Sequence, residues 1–183
     1  MALPATIYRV SIQLSDIDRN CYETLTTTAA KHPSETEQRL IARLIAYALC
    51  YEENIAFTRG VSTSEEPDLW VKSYDDRIHK WIEVGLPDAQ RLIKAGHHSE
   101  QVVLFTYGSG TDRWLANSQA KLAAMDNLQI FRLSDKLIDA LMEKLKRSVD
   151  WQLTCSDKTL YFIVDGDNIV ADLVELDLEN IAK

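Results

Sequence analysis

Glycine and proline are scarce, at 6 and 4 among 183 residues. That scarcity excludes Gly/Ser-rich linkers and Pro-rich disordered tracts. Cysteine is scarcer still. Cys21, Cys50 and Cys155 are odd in number and far apart, so they supply neither a disulfide frame nor a zinc knuckle. They fit a reducing compartment, and a cytoplasmic location is the expectation. No apolar run approaches the roughly 20 residues of a membrane span. The opening from Met1 to Arg9 lacks a basic start followed by an apolar core, so neither a signal peptide nor a membrane partner is expected.

Positive charge is also in short supply. Twenty Lys and Arg face 28 Asp and Glu, giving a net charge of −8, which at face value disfavours a polyanionic partner. The deficit is uneven. From Asp150 to Lys183 there are eight acids and two bases, a balance of −6, leaving −2 for residues 1–149. The body of the chain has room for a basic face; the acidic tail does not.

What is present reads as a soluble domain: 46% hydrophobic and 26% charged residues, both ordinary values. The length predicts one domain over 1–183 with a sizeable core. Residues 6–14 alternate apolar and polar and predict a half-buried strand, with a turn at Asp16 to Asn20 and a Thr-rich hairpin partner at 22–29. Ser34 and Glu37 have the spacing of a capping box. The helix after them buries Leu40, Ile41, Leu44, Ile45, Ala48 and Leu49, with Arg39 and Arg43 off that stripe. A short strand is expected at 55–60, and a loop or single helical turn at 64–70 around Pro67.

A strand follows at 79–85. Then comes a helix from Asp88 to about Ala95, with Gly96 as its stop. The continuous apolar run 102–107 predicts a buried strand. Gly108-Ser109-Gly110 turns into a helix over 111–124, and a strand covers 128–133. Ser134 and Asp135 cap a helix carrying Leu137, Leu141 and Leu145. Strands at 149–155, 159–164 and 169–176 close the chain, the last two joined by the turn Asp165-Gly166-Asp167-Asn168. The order predicts an α/β fold: a mixed β-sheet flanked by helices, with an N-terminal hairpin and a C-terminal β-meander.

The chemistry centres on 79–95. Lys80, Ile82 and Val84 point to one side of the strand; His79, Trp81, Glu83 and Gly85 point to the other. Glu83 is thus a carboxylate inside an apolar strand, which is costly unless paired, hydrogen-bonded or bound to a metal. Its partner is either a metal or a cation such as Arg91 or Arg59. Lys94 lies on the following helix, where the macrodipole alone would favour a cation. Glu37 is either part of the capping box or a group able to hold a metal-bound water. His97 and His98 adjoin the helix stop as a solvated pair. Gly108 to Gly110 lacks the pattern of a phosphate-binding loop, and Asp165 to Asn168 lacks the later ligands of a calcium loop.

Pro67-Asp68 followed by Glu83 resembles the PD-(D/E)xK nuclease superfamily, whose pattern is an acid after Pro, then an acid and a Lys two apart on one strand face. The Lys position is Gly85 here. Some members of that superfamily place the Lys on the following helix, as Lys94 is placed. A closer resemblance is to the YaeQ family of bacterial proteins. It is carried by Ala2–Tyr8, Asp18-Arg19-Asn20, residues 32–43, Phe57-Thr58-Arg59-Gly60, Glu66-Pro67, residues 81–88, Arg91, Lys94-Ala95 and residues 104–107.

The resemblance implies a restriction-endonuclease-like core and a metal-dependent nuclease of undefined biological role. Mg²⁺ or Mn²⁺ would sit on Glu83 with Asp68 or Glu66, and Lys94 would orient the attacking water. DNA or RNA phosphates would be held by Arg59, Arg91 and Lys80, helped by Lys72 and Arg113. The alternative is a lapsed nuclease fold that binds nucleic acid or a protein. Oligomeric state is left open by the sequence.

Overall fold

Alternation produces the first hairpin over its full length. Thr6–Asp16 (β1) and Cys21–Lys31 (β2) pair antiparallel without a break, from Thr6 opposite Lys31 to Asp16 opposite Cys21. Tyr8, Val10, Ile12 and Leu14 on one face are buried, whereas Ile7, Arg9 and Gln13 face solvent. The computed structural model describes residues 4–58 and 65–178. The chain divides into two compact units. One is Met1–Leu49 with Ser134–Leu173, the other Cys50–Leu133 with Val174–Lys183.

In the first unit Ser148–Ser156 (β8) lies parallel to β1 on the side away from β2. Thr159–Val164 (β9) and Asp167–Asp172 (β10) follow as an antiparallel meander. The helices Glu37–Leu49 (α1) and Asp135–Glu143 (α4) pack on each other, and α1 lies on β1 and β2. The inward stripe of α1 is the predicted one up to Ala48, with Leu40, Ile41, Leu44 and Ile45 fully buried.

Its start differs from the sequence reading. The Thr36 hydroxyl accepts the Arg39 amide N–H at 3.2 Å, so Thr36 is the cap. Ser34 instead shares a 2.7 Å hydrogen bond with the His32 ring, and Glu37 is exposed. The physical reason is Glu35. Its buried carboxylate accepts from Arg43 Nη1 at 3.0 Å and from Arg39 Nη1 at 3.1 Å, which pulls the preceding loop inward. Arg43, expected off the buried stripe, is therefore buried as well.

The second unit holds a six-stranded sheet. In chain order its strands are Ile55–Phe57 (β3), Leu69–Lys72 (β4), Ile78–Val84 (β5), Ser99–Thr106 (β6), Leu128–Arg132 (β7) and Val174–Glu175 (β11). β5, β6 and β7 are parallel; β3, β4 and β11 add antiparallel edges. Ala89–His98 (α2) and Thr111–Leu122 (α3) cover one face, where Trp81, Leu92, Ala95, Val102, Leu104, Leu115, Leu122 and Ile130 form the core.

Asp88 caps α2 as expected, accepting the Gln90 N–H at 2.7 Å. Gly96 does not end it. The glycine lies inside the helix, where a Cβ would stand 2.8 Å from Met125 Cε and 3.1 Å from Asn127 Oδ1. It is there to let the 125–127 segment approach. β4 occupies part of the stretch expected to be a loop or helical turn, and the predicted strand at 55–60 ends at Phe57. Residues Arg59 and Gly60 of that prediction lie outside the described residues.

The α/β class, the flanking helices and the first hairpin match the sequence reading, and the closing meander matches as far as Asp172; the strand expected over 169–176 divides there, and its last part, β11, pairs with β7. The expectation of a single mixed sheet does not hold. Two mixed sheets form, because β1 pairs with β8 rather than with the middle strands, and the terminal strands bury their apolar face within their own unit. No described helix is long and apolar enough to cross a membrane.

Candidate functional site

The end of β5 gathers two buried acids. Asp68 is 1% exposed and Glu83 4%. Asp68 is held to β5 by its backbone and its side chain together. Its amide donates to the Ile82 carbonyl at 3.0 Å, and its Oδ2 accepts the Val84 N–H at 2.8 Å. Glu83 Oε1 accepts from the Trp81 indole Nε1 and from Arg91 Nε, both at 2.7 Å. Trp81 and Glu83 share a strand face because they are two residues apart. Arg91 reaches them from the first turns of α2, and its Nη2 donates to the Glu66 carbonyl at 2.6 Å.

Burial pushes the Glu83 carboxyl above its usual range. The Trp81 hydrogen bond and the Arg91 charge pull it back, and the Asp68 charge raises it further. The Asp68 carboxylate is held on the amide of Val84, the residue next to Glu83. Gly85 follows with φ of +106°, and its N–H donates to the Phe105 carbonyl at 2.9 Å. Nothing lies within 4 Å of where its Cβ would stand. This glycine answers to the left-handed backbone that turns the chain out of β5.

Lys94 is exposed one helical turn beyond Arg91. It opens, with Trp81, Arg91, Ala95 and His98, onto a cavity of about 740 Å³. The acids Glu65, Asp76 and Glu100 and the cation Arg77 also border it. The cation in contact with Glu83 is Arg91; Lys94 stands at the cavity.

The other predicted site residues each have their own surroundings. Glu66 is half-buried and offers its carbonyl to Arg91. Lys80 pairs with Glu52, whose other oxygen lies 3.5 Å from His79 Nε2. Lys72 lies 3.7 Å from the centre of the Trp70 ring. Glu37 belongs to the first unit, on α1. Arg59 lies outside the described residues.

Two clusters escaped the sequence reading. The Glu35–Arg43 pair was missed because Glu35 lies in the loop before α1 and Arg43 lies off the helix's predicted apolar stripe. In the first unit Asp16, Asp18 and Cys155 bring their ligand-type atoms within 4.8 Å of one another. Arg19 binds Asp16 at 2.6 Å, and Asp18 accepts the amides of Asp157 and Lys158 at 2.8 and 3.1 Å. Cys155 Sγ donates to Asp18 at 3.6 Å. Burial and the two aspartates push this thiol up to about 12, so it stays protonated and acts as a hydrogen-bond donor. Asp157 and Lys158 both have positive φ, and Asp18 braces that strained turn.

Comparison with known proteins gives a consistent picture. The family model described as YaeQ protein matches residues 1–173. The chain is 35% identical over 174 residues to the uncharacterized protein YaeQ of Escherichia coli (strain K12), covering 94% of this chain and 96% of that one. A similar protein from Salmonella typhi is 36% identical over the same length. The crystal structure of YaeQ protein from Pseudomonas syringae superposes with a TM-score of 0.92 at 38% identity, over 96% of this chain and 98% of that one. That of Xanthomonas axonopodis pv. citri gives 0.88 at 32% identity, over 94% and 97%.

Proposed function

The chain belongs to the YaeQ family, and from that premise we propose that it is a metal-dependent nuclease, a phosphodiesterase on a restriction-endonuclease-like core, with Asp68 and Glu83 as its metal carboxylates. The observation that carries this reading is the buried acid pair at the end of β5, Asp68 bonded to the Val84 amide and Glu83 to Trp81 and Arg91. Two like charges out of water repel, and a divalent cation beside them offsets that repulsion.

Two hard oxygen donors fit Mg²⁺ or Mn²⁺, which keep several waters of their own. When bound, such an ion supplies a more acidic water and a counter-charge for the phosphoryl oxygens. Arg91 fixes the Glu83 carboxylate through one oxygen. Lys94 presents an ammonium at the cavity mouth, where it holds a substrate phosphate or the attacking water. Arg59 and Lys80 are assigned to phosphates further along a DNA or RNA strand. Glu66 is the rival to Asp68 for the first carboxylate. Glu37 stays outside this assignment.

The test joins binding to turnover. Wild type is expected to gain melting temperature on titration with Mn²⁺ or Mg²⁺, and Glu83→Gln to lose that gain. Cleavage of mixed DNA and RNA substrates with Mn²⁺ is expected to fall about 100-fold or more in Glu83→Gln and in Lys94→Ala. No thermal shift in wild type, or cleavage that survives both substitutions, would overturn the proposal.

A second reading has its own support. Arg91 already neutralises Glu83 at 2.7 Å, and Asp68 is committed to the Val84 amide. A module that kept the fold and lost the reaction would be wired this way. It would bind nucleic acid or a protein without metal-dependent cleavage, and indifferently to Glu83→Gln.

A further inference from the structure

The first unit's sheet ends on β2, which among the described residues has a strand neighbour on one side only. Main-chain direction along β1 follows from two bonds. Arg9 N–H donates to the Arg147 carbonyl and Ile17 N–H to the Cys155 carbonyl, both at 2.9 Å. Odd residues of β1 therefore bond toward β8, and even ones toward β2. Since Tyr8 pairs with Ala29, Val10 with Thr27 and Ile12 with Leu25, the odd residues of β2 are satisfied inside the hairpin. The amides and carbonyls of Tyr22, Thr24, Thr26, Thr28 and Ala30 point out of the sheet. Arg43 Nη1 donating to the Ala30 carbonyl at 3.2 Å agrees with that direction. Among the described residues no other backbone bonds to this edge.

Exposed edges normally carry a guard: a charge, a proline, a bulge or shortness. β2 has none of these along its middle. It is 11 residues long and its register is unbroken. From Thr24 to Ala30 it carries no charge and no proline. The opposite edge, β10, is six residues long with aspartate at both ends.

We propose that two copies pair antiparallel through β2 about a twofold axis at Thr26, joining two five-stranded sheets into one. The axis at Thr26 is the one that pairs all five outward-bonding residues of β2. With Thr26 opposite Thr26 of the second copy, Thr24 meets Thr28 and Tyr22 lies over the small Ala30. No outward-bonding pair opposes like charges, and the Thr pairs are favourable cross-strand neighbours. Such a contact is isologous and closed, so it stops at a dimer.

The test uses the whole chain with Cys21→Ser, because Cys50 and Cys155 are buried. Thr26→Cys is expected to form a disulfide-linked dimer on mild oxidation. On the axis its Cα atoms stand about 5.5 Å apart, within disulfide range. Thr24→Cys, set roughly 13 Å from its own copy by four residues of strand rise, is expected to stay unlinked. Sedimentation equilibrium should give a dimer for wild type and a monomer for Thr26→Lys, with the melting temperature of the variant confirming that it folds. A monomeric wild type across the concentration series overturns the proposal. So does a dimer that ignores Thr26→Lys, or equal cross-linking at positions 24 and 26. A chain that pairs only with foreign extended peptides would appear as the first of these outcomes.

Discussion

A carboxyl that receives both an indole N–H and a guanidinium would ordinarily be strongly acidic. Glu83 is shifted the other way because desolvation is the largest influence on it. The consequence for stability has a definite sign. With its folded pKa above the unfolded value, the folded chain keeps this proton where the unfolded chain has lost it. The resulting stabilisation is fully present below the unfolded value and is lost as pH rises through the folded one. Wild type should therefore gain on Glu83→Gln in urea unfolding as pH falls from neutral into the carboxylate range. A difference that moves the opposite way would mean that Arg91, not burial, governs this acid. Glu35 makes a separate case. Its side chain and that of Arg43 are almost wholly buried against each other. Glu35→Ala strands a guanidinium in the interior and should cost about 3–5 kcal/mol in urea unfolding. Replacing both partners by apolar residues should cost less, since the stranded charge is what dominates.

At the scale of elements, α2 gives a test in which propensity and packing oppose each other. Ala is favoured over Gly in a helix interior by about 1 kcal/mol. At Gly96 the added methyl meets Met125 Cε, which is the free end of a flexible chain, and Asn127 Oδ1, which is not. Asn127 Nδ2 donates to the Gly96 and Ser99 carbonyls at 3.1 and 3.2 Å, so it cannot swing away without losing both bonds. Gly96→Ala is expected to lower the melting temperature, with a net cost on the order of 1 kcal/mol. The same glycine marks where sequence reading stops. Caps, periodicity and alternation are local, and they located β1, β2, α1, α2 and β6. A glycine inside a helix looks like a stop unless the loop that leans on it is known. β4 is only four residues long and was hidden beside Pro67. Glu83 was legible because an acid stood alone in an apolar strand. Glu35 and Arg43 were not, since an acid in the loop before a helix and an arginine off its predicted stripe both resemble solvated charges. The parallel pairing of β1 with β8 joins residues near 9 to residues near 148, and no local pattern encodes it.

Across the whole molecule the governing quantity is charge. A net charge of −8 repels a long polyanion at distances beyond any single contact, whatever the local basic residues do. That repulsion reaches about 30 Å at 0.01 M salt and about 10 Å at 0.1 M. Contacts from Lys94, Lys80 or Arg91 to a phosphate act at close range and are weakened less over the same interval. If the chain hydrolyses nucleic acid, kcat/KM on long single-stranded DNA should rise between those two salt concentrations, before falling at higher salt as phosphate contacts are lost. A small monoanionic phosphodiester, which carries little charge to repel, should show a nearly flat response over the first interval. The control separates long-range repulsion from any effect of salt on the fold. A steady fall with salt on the long substrate would mean that a basic face outweighs the acidic tail. Nucleic acid would then approach this chain by attraction, as it does a basic nuclease.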